Sequence, residues 1–384
     1  MSRLSEMIAR LCPNGVEYRK LGEVVEILRG KRLTKNMLSS DSPYPVYHGG
    51  LEPLGYYSES NRDGDTVMII NVGASAGTVG YCSEKFWSSD GCFCLAKSKQ
   101  TIGRYLYYVL QSKEIELKSK VRVAGIPTLD SQVVANITIP LPPLEIQREV
   151  VEILDNFAQL TAELTAELAK RKKQYEHYRD MLLNFEGGGI NDSYGVESCE
   201  FRVEWKRLGE IIESGVINMT RGGYITKKEA KPGEIPVILG GQEPAYFINR
   251  FNHEGKAIVI SRSGASAGFV SYWNEPIFVT DGFAFDCDES RLNTRYLFHW
   301  MKNNQARLNG MKKGGGVPHI TGENLKSLEL PLPPLAEQKR IVEILDRFDS
   351  LCNSLTEGLP AEIALRKKQY EYYRDKLLSF KEAG

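Results

Sequence analysis

The stretch that decides the fold reads IPLPPLEIQREVVEILD over residues 139–155, and it returns 191 residues later as LPLPPLAEQKRIVEILD over residues 330–346. Shorter motifs repeat at the same offset: Gly73-Ala-Ser-Ala-Gly77 with Gly264-Ala-Ser-Ala-Gly268, Asp90-Gly91 with Asp281-Gly282, and Gly125-Ile-Pro127 with Gly316-Val-Pro318. Self-similarity at a fixed period is the mark of repeated structural units. We therefore predict a tandem duplication that covers nearly the whole 384-residue chain.

Each copy of this stretch should open a long helix. Pro142-Pro143 suits a first helical turn, where a missing N–H is harmless, and Glu145 favours the positive end of the helix dipole. Apolar and aromatic residues then recur at steps of three and four, which predicts a coiled-coil seam in each helix. The seams run through 153, 157, 160, 164, 168, 175, 178, 182 and 185, with Arg171 filling one place, and through 344, 348, 351, 355, 359, 363, 366, 370, 373, 377 and 380. Two such seams should pair, in antiparallel orientation, and Gly358 with Pro360 should kink or interrupt the second helix.

The rest of each copy should be a globular domain. Short β-rich runs such as Thr66–Ile70 and Ala257–Ile260 alternate with Gly-rich turns, and helices are expected near 103–118 and 294–309. We predict an α+β fold, a pseudo-two-fold tandem repeat in which an antiparallel coiled coil of two long helices separates two mixed α/β domains. The expected parts are 15–143 (first domain), 144–186 (first helix), 187–201 (linker), 202–334 (second domain) and 335–384 (second helix).

Composition limits the class of protein. Apolar residues make up 42% and charged residues 26% of the chain, as in ordinary globular proteins. No run approaches the roughly 18 apolar residues that a membrane span needs, and charges at Arg3, Glu6 and Arg10 argue against a signal peptide. The seven cysteines form no CxxC pair. We expect a reduced, cytoplasmic protein with no structural zinc and no membrane partner.

Lys+Arg and Asp+Glu are both 49, and this zero net charge argues weakly against nucleic acid, but the distribution of the charge matters more than its sum. Basic side chains are concentrated at 19–35, 97–122 and 290–322, and the last segment holds no acidic residue. Arginine and glutamine can make bidentate contacts with base edges, whereas lysine more often contacts phosphates. The predicted DNA-binding residues are Lys31, Arg32, Lys118, Lys120, Arg122, Gly125, Arg221, Gln242, Lys312, Lys313 and Gly316.

No motif for catalysis stands out. The chain has no phosphate-binding loop GxxxxGK[ST], no GxGxxG after a strand and no HExxH, and its five histidines lack metal-ligand spacing. The Asn/Asp-Pro-Pro-aromatic signature of amino-methyltransferases is absent, since Asp41-Ser-Pro-Tyr44 lacks the second proline. We therefore expect no catalytic residue and no bound metal.

Three features allow two interpretations each. The Gly-Ala-Ser-Ala-Gly motifs could hold DNA phosphate through free amides, but a tight turn between strands is the favoured interpretation. The basic Gly-x-Pro loops suit contact with the DNA backbone, or are solvated surface loops. Tyr105, Tyr108 and Tyr296 should lie on helices and belong to the core rather than stack on bases.

The motifs resemble those of one family. The Leu-Pro-Pro-Leu-x-x-Gln start of each helix, the Thr-Ala-Glu-Leu repeat at 161–168 and the Arg-Lys-Lys-Gln-Tyr-x-x-Tyr-Arg-Asp runs at 171–180 and 366–375 are similar to those of type I restriction–modification specificity subunits. The resemblance implies two target recognition domains, each reading half of a bipartite, asymmetric DNA site, and a helical pair that sets the spacer and docks modification subunits. It also implies that S-adenosylmethionine, ATP and magnesium are bound by the modification and restriction subunits, not by this chain.

Two other classes of protein compete with this interpretation. A tandem-repeat scaffold could use its coiled coil and globular domains to bind other proteins, and it would not bind duplex DNA in a salt-dependent way. A stand-alone methyltransferase is countered by the absent cofactor and catalytic motifs.

Overall fold

The architecture consists of two compact units. The computed structural model describes residues 3–185, 203–225, 231–239, 243–314, 317–354 and 356–384, so the predicted linker 187–201 lies outside the described residues. Unit 1 comprises Met1–Thr165 with Glu362–Gly384, and unit 2 comprises Ala166–Ala361. Each unit is therefore assembled from one globular domain and parts of both long helices.

Unit 1 is built on a four-stranded antiparallel sheet of order β2-β8-β5-β6, a three-stranded sheet of order β4-β3-β7 and a two-stranded β1-β9 ribbon. Its elements before the first long helix are α1 (Arg3–Leu11), β1 (Tyr18–Lys20), α2 (Leu21–Val24), β2 (Ile27–Arg29), β3 (Tyr44–Tyr47), β4 (Gly55–Tyr57), β5 (Thr66–Ile70), β6 (Val79–Cys82), β7 (Trp87–Ser88), β8 (Cys92–Leu95), α3 (Gly103–Ser112), α4 (Glu114–Ser119), α5 (Ser131–Ala135) and β9 (Thr138–Pro140). The long helix α6 (Leu144–Leu183) follows and continues into unit 2.

Unit 2 repeats this topology with sheets of order β11-β17-β14-β15, β13-β12-β16 and β10-β18. Its elements are β10 (Glu204–Arg207), α7 (Leu208–Glu213), β11 (Ile217–Arg221), β12 (Ile235–Ile238), β13 (Tyr246–Ile248), β14 (Lys256–Ser261), β15 (Val270–Asn274), β16 (Phe278–Val279), β17 (Gly282–Cys287), α8 (Thr294–Asn303), α9 (Gln305–Gly310), α10 (Gly322–Lys326), β18 (Glu329–Leu332) and α11 (Leu335–Asn353). Helix α12 (Gly358–Leu378) then returns to unit 1. The predicted α+β fold of two mixed domains with paired long helices is confirmed.

Each unit has its own main hydrophobic core. In unit 1 the buried Ile146, Val150 and Leu154 of α6 pack with the central sheet, α3 and Leu378 of α12. In unit 2 Leu182 at the far end of α6 packs with the central sheet, α8 and the first turns of α11. The two ends of α6 thus serve two different cores.

The long helices pair within each unit along the predicted seams. In unit 1 the rings of Phe157 on α6 and Tyr373 on α12 stack with centroids 5.3 Å apart. In unit 2 the rings of Tyr178 and Phe348 of α11 stack with centroids 5.5 Å apart. One turn later on α11, Cys352 lies close enough to Lys172 to feel its positive charge. Because a later position on α11 faces an earlier one on α6, the pairing in unit 2 is antiparallel.

The second long helix is interrupted, as Gly358 and Pro360 predict. Helix α11 ends at Asn353 and α12 begins at Gly358. Gly358 has a φ of +75°, and a Cβ there would lie 2.6 Å from the carbonyl oxygen of Ser350. A residue with a side chain would therefore be strained at this break.

The structure differs from the sequence expectation in two helical regions. The helices predicted near 103–118 and 294–309 are each split, at Lys113 and at Asn304. An unpredicted helix, α1, precedes the first domain and packs Leu4 into the core of unit 1.

Candidate nucleic-acid interface

The repeated Gly-Ala-Ser-Ala-Gly motif forms a tight turn in both units. It joins the antiparallel strands β5 and β6 in unit 1 and β14 and β15 in unit 2. Gly73 and Gly77 have φ values of +86° and +88°, and Gly264 and Gly268 have +81° and +83°. Glycine alone adopts this left-handed backbone readily, so the motif is a strand-joining turn, as the favoured interpretation predicts.

The Gly-x-Pro loop docks on this turn in each unit. The amide of Gly73 donates to the carbonyl of Pro127 at 2.9 Å, and the amide of Gly264 donates to that of Pro318 at 3.0 Å. The neck of the loop is closed by backbone pairing of Arg122 with Thr128, and Lys313 pairs likewise with His319. Two motifs that are far apart in sequence therefore form one unit of structure, here called the turn-and-loop frame. Its hydrogen bond uses the first glycine amide of the turn, so that amide is not available to bind a phosphate.

The tip of the loop projects into solvent. Gly125 has a φ of +84°, and a Cβ added there would meet nothing within 4 Å. Beside it, Val123 and Ile126 are 78% and 71% exposed, and Val317 of the second loop is 66% exposed. A rigid neck with an exposed tip is an arrangement that can enter a groove of DNA.

Several predicted cations border the frame, but acids within α4 neutralise part of their charge. Lys118 forms an ion pair with Glu114 at 2.5 Å, and Lys120 pairs with Glu116 at 2.6 Å, both at the i,i+4 spacing. Lys312 instead donates to the carbonyl of Ala265 in the turn at 2.9 Å. The loop of unit 2 is therefore the more basic of the two, because the described part of α9 carries no acidic residue.

Three of the remaining predicted residues lie at the end of the first strand of a central sheet or shortly after it. Lys31 and Arg32 come after Gly30, where a Cβ would lie 1.9 Å from the carbonyl oxygen of Ser89, and both side chains are exposed. Arg221 ends β11 and acts electrostatically on Asp281. Gln242 and Gly316 lie outside the described residues, so the structure does not place them.

Sequence reasoning missed a polar cluster beside the turn of unit 2. Arg262 Nε donates to Asp281 Oδ1 at 2.8 Å, and the hydroxyl of Ser263 donates to the second carboxylate oxygen. Burial raises the pKa of Asp281, but these two hydrogen bonds, together with the positive charges of Arg262 and Arg221, hold the pKa below its ordinary value. The available signal was the repeated Asp-Gly pair, which marks the place where β17 begins.

The equivalent positions of unit 1 carry different side chains. Asn71 occupies the place of Arg262; its amide donates to the carbonyl of Gly91, and its side-chain oxygen is buried and has no hydrogen-bond partner among the described residues. Asp90 occupies the place of Asp281, and its Oδ1 lies 3.3 Å from Nδ1 of His48, outside hydrogen-bonding geometry. One backbone frame therefore presents two different sets of polar groups.

The same hydrogen bonds attach the globular domain of each unit to its long helix. The buried side chain of Gln147 accepts from the amide of Ile102 at 3.0 Å and donates to the carbonyl of Pro142 at 2.8 Å. Gln338 accepts from the amide of Asn293 at 2.9 Å and donates to the carbonyl of Pro333 at 2.9 Å. The glutamine of the repeated stretch thus joins the start of the long helix to the start of α3 or α8.

An aspartate two turns later makes a second attachment. Asp155 accepts from Arg104 Nε at 2.7 Å and from the hydroxyl of Tyr108. Asp346 accepts from Arg295 at 2.8 Å and lies 2.7 Å from Nε2 of the buried His299. Burial raises the pKa of Asp346, yet the hydrogen bonds from His299 and Arg295 bring it below its ordinary value.

The described part of the chain offers little for metal binding or membrane insertion. No three His, Cys, Asp or Glu side chains among the described residues come together as a metal site. Nor is any helix in the described ranges both long and apolar enough to cross a membrane.

Comparisons with known proteins match this architecture. The sequence profile of the type I restriction modification DNA specificity domain matches residues 13–171 and 202–365. A putative type I restriction enzyme specificity subunit of Haemophilus influenzae is 31% identical over 394 residues, covering 95% of this chain and 96% of the relative. The EcoR124I/EcoR124II specificity subunit of Escherichia coli is 35% identical over 73% of this chain and 72% of its own.

Solved structures agree in fold. The S subunit of a type I restriction–modification system from M. genitalium superposes with a TM-score of 0.66 at 19% identity, covering 94% of this chain and 95% of that one. A chain from a study of complex assembly and conformational transition of the type I system gives a TM-score of 0.56 at 20% identity, covering 95% and 98%.

Proposed function

The chain belongs to the type I restriction–modification DNA specificity family, and from that premise we propose that it is the non-catalytic DNA-reading subunit of a type I restriction–modification complex. It binds double-stranded DNA at a bipartite, asymmetric site. Each unit reads one half of the site, and the paired helices set the length of the spacer between the halves.

One observation carries this proposal. The turn-and-loop frame is built twice with the same hydrogen bonds, while Asn71 and His48 in unit 1 stand where unit 2 has Arg262 and Leu239. Sequence is read by side chains that differ, held on a backbone that does not. Two frames with different side chains are what two different half-sites require.

The chemistry belongs to the partner subunits. Modification subunits bring S-adenosylmethionine and methylate adenine, and restriction subunits bring ATP and magnesium for translocation and cleavage. The long helices α6, α11 and α12 are the docking surface for the modification subunits. This chain contributes target choice alone, in keeping with the sequence, which offers no catalytic motif.

The basic residues around each frame contact the DNA backbone. Lys31 and Arg32 in unit 1 and Lys312 and Lys313 in unit 2 are exposed or half-exposed. Cations that neutralise phosphates release counterions, so affinity should fall steeply as salt rises. A protein-binding scaffold would not bind duplex DNA with an affinity that falls as salt rises.

Mapping of methylated adenine tests the proposal. Cells with the modification subunit should methylate one bipartite motif when this chain is present and lose that methylation when it is deleted. In parallel, the purified complex should bind the mapped duplex with an affinity that decreases with salt. Unchanged methylation after deletion, together with salt-independent or absent duplex binding, would contradict the proposal.

A further inference from the structure

Arg262 lies at the centre of the candidate interface of unit 2. It follows the last residue of β14 and precedes the Gly264 turn by two positions. Its amide donates to the carbonyl of Asp281 at 3.0 Å, and its carbonyl accepts from the amide of Ile320 at 2.8 Å. The backbone of Arg262 is thus fixed on both sides, by the start of β17 and by the residue after the Gly-x-Pro loop.

The guanidinium is also held, but from one side only. Nε donates to Asp281 Oδ1 at 2.8 Å, and the side chain is 33% exposed. Within the ranges that the structure describes, the two terminal nitrogens of Arg262 have no hydrogen-bond acceptor. The outer edge of the guanidinium, with its parallel N–H groups, is therefore free to bind a ligand.

The charge around this edge favours an acceptor-rich ligand. Asp281 faces both Arg262 and Arg221, and it also accepts from Ser263. One carboxylate against two guanidiniums leaves a net positive charge. The aspartate orients Arg262 without neutralising the cluster.

We propose that Arg262 is a specificity-determining residue that reads a guanine in the half-site of unit 2, through paired hydrogen bonds to O6 and N7 in the major groove. An arginine fork matches these two acceptors, and this pairing is the commonest specific contact with a base. Holding Nε on Asp281 sets the plane of the fork before DNA arrives. This inference rests on the proposed function of the chain.

Unit 1 cannot make the same contact. Its equivalent residue, Asn71, is buried, and no donor within the described ranges of the chain bonds to its side-chain oxygen. The two half-sites should therefore differ at the position that this residue governs. The guanine contact belongs to unit 2 alone.

The test uses the complex of this chain with its modification subunits and the mapped site. In the half-site of unit 2, each guanine is replaced in turn by 7-deazaguanine, which lacks the N7 acceptor. Wild-type affinity should fall at one position, and Arg262→Ala should lower affinity for the natural site by roughly 5- to 150-fold. The affinity of Arg262→Ala should not fall further when 7-deazaguanine replaces guanine at that position, because the hydrogen bond to N7 is already lost.

Three further variants sharpen the result. Arg262→Lys keeps the charge but lacks the fork, so it should lose discrimination against other bases at that position while retaining non-specific affinity and its salt dependence. Asp281→Asn no longer holds the guanidinium of Arg262 in place, so it should also reduce discrimination between guanine and other bases at that position. Arg291→Ala, at an exposed arginine of the same unit, is the matched control and should leave site selectivity unchanged.

Two outcomes would overturn the inference. In the first, the affinity of the wild-type complex is unchanged by 7-deazaguanine at every guanine of that half-site. In the second, Arg262→Ala lowers the affinity equally for all DNA sequences and makes its salt dependence shallower. The second result would make Arg262 a phosphate contact. A wild-type complex that prefers no sequence would instead contradict the proposed function itself. If circular dichroism shows that Arg262→Ala is not folded, the affinities of Arg262→Lys for the duplexes with 7-deazaguanine test the inference instead.

Discussion

At the scale of single residues, Gln147 and Gln338 explain why the repeated stretch carries a glutamine three positions after Pro-Pro-Leu. Each side chain is buried. Its amide group donates to a proline carbonyl just before its own helix, and its oxygen accepts from the backbone amide at the start of α3 or α8. A buried amide or carbonyl left without its partner is costly. The glutamine therefore fixes the angle at which the recognition domain meets the long helix.

Gln338→Met should destabilise unit 2 by about 2–4 kcal/mol, because it keeps the volume but leaves the amide of Asn293 and the carbonyl of Pro333 unpaired. Denaturant unfolding of the full chain, followed by hydrogen exchange within 293–303, measures the effect. Gln159→Met is the matched control, since Gln159 is exposed and its side chain donates to Glu163 on its own helix. Equal stability of both variants would contradict this role.

Asp346 should make the stability of unit 2 dependent on pH in the acid range. Its pKa in the folded chain lies below the ordinary value because hydrogen bonds from His299 and Arg295 outweigh its burial. The stabilisation is present above the unfolded pKa of about 3.9 and is lost as pH falls through the folded pKa. Asp346→Asn should cost about 1–2 kcal/mol at neutral pH, a figure reduced for solvent screening of a half-exposed group.

Melting curves between neutral and strongly acid pH test the role of Asp346. The difference between wild type and Asp346→Asn should be full at neutral pH and shrink at acid pH. Asp375→Asn is the control, because its carboxylate is exposed and pairs with the neighbouring Arg374. A difference that is independent of pH would show that Asp346 acts through packing rather than charge.

Residue roles were predictable where they depend on local pattern. The helical spacing of Tyr105 and Tyr296 predicted core positions, and both are buried with their hydroxyls on the carbonyls of Pro140 and Pro331. The contact of Arg262 with Asp281 was not predictable, since it requires the order of strands β14 and β17 in the sheet. Strand order depends on packing of the whole domain and leaves no local signal.

At the scale of elements, the Thr-Ala-Glu-Leu repeat lies in the middle of α6, where the division between the units falls after Thr165. Its leucines, Leu164 and Leu168, lie at predicted seam positions, and both are partly buried. Helix α6 is 40 residues long, about 60 Å. A change in the number of repeats changes the length of the helix without touching either core.

Inserting one Thr-Ala-Glu-Leu at 164 should lengthen the tolerated DNA spacer by about one or two base pairs. The tetrapeptide adds about 6 Å of helix, and B-DNA rises about 3.4 Å per base pair. Methylation mapping of the variant should find both half-sites unchanged. A four-residue insertion in the predicted linker 187–201 is the control, and an altered half-site with an unaltered spacer would contradict the helix as a ruler.

The split helices show where element prediction failed. Glu114 and Gln305 come directly after the breaks at Lys113 and Asn304, and their side chains accept from the amides of Val79 and Val270 at 3.1 Å. Each thereby satisfies the first amide of an edge strand just beyond the Gly-rich turn. A continuous apolar periodicity cannot reveal such a break, because its cause is a partner distant in sequence.

At the scale of the whole molecule, the duplication gives two units, each with its own main core and its own turn-and-loop frame. The repeat predicted this organisation, since motifs at one offset must build the same local structure twice. Helix α12 returns to unit 1, a division of the second helix between the units that the sequence did not predict. Contacts of the last residues were not predicted: Val16 pairs with Glu382, and the hydroxyl of Tyr18 donates to the carbonyl of Phe380.

The central claim is that two independent readers choose the two halves of one DNA site. Exchanging residues 15–143 for the first recognition domain of a relative, and mapping methylated adenine genome-wide, tests it most directly. One half of the motif should change to that of the donor, while the other half and the spacer length remain as in the wild type. A motif in which both halves change, or in which neither does, would contradict the claim.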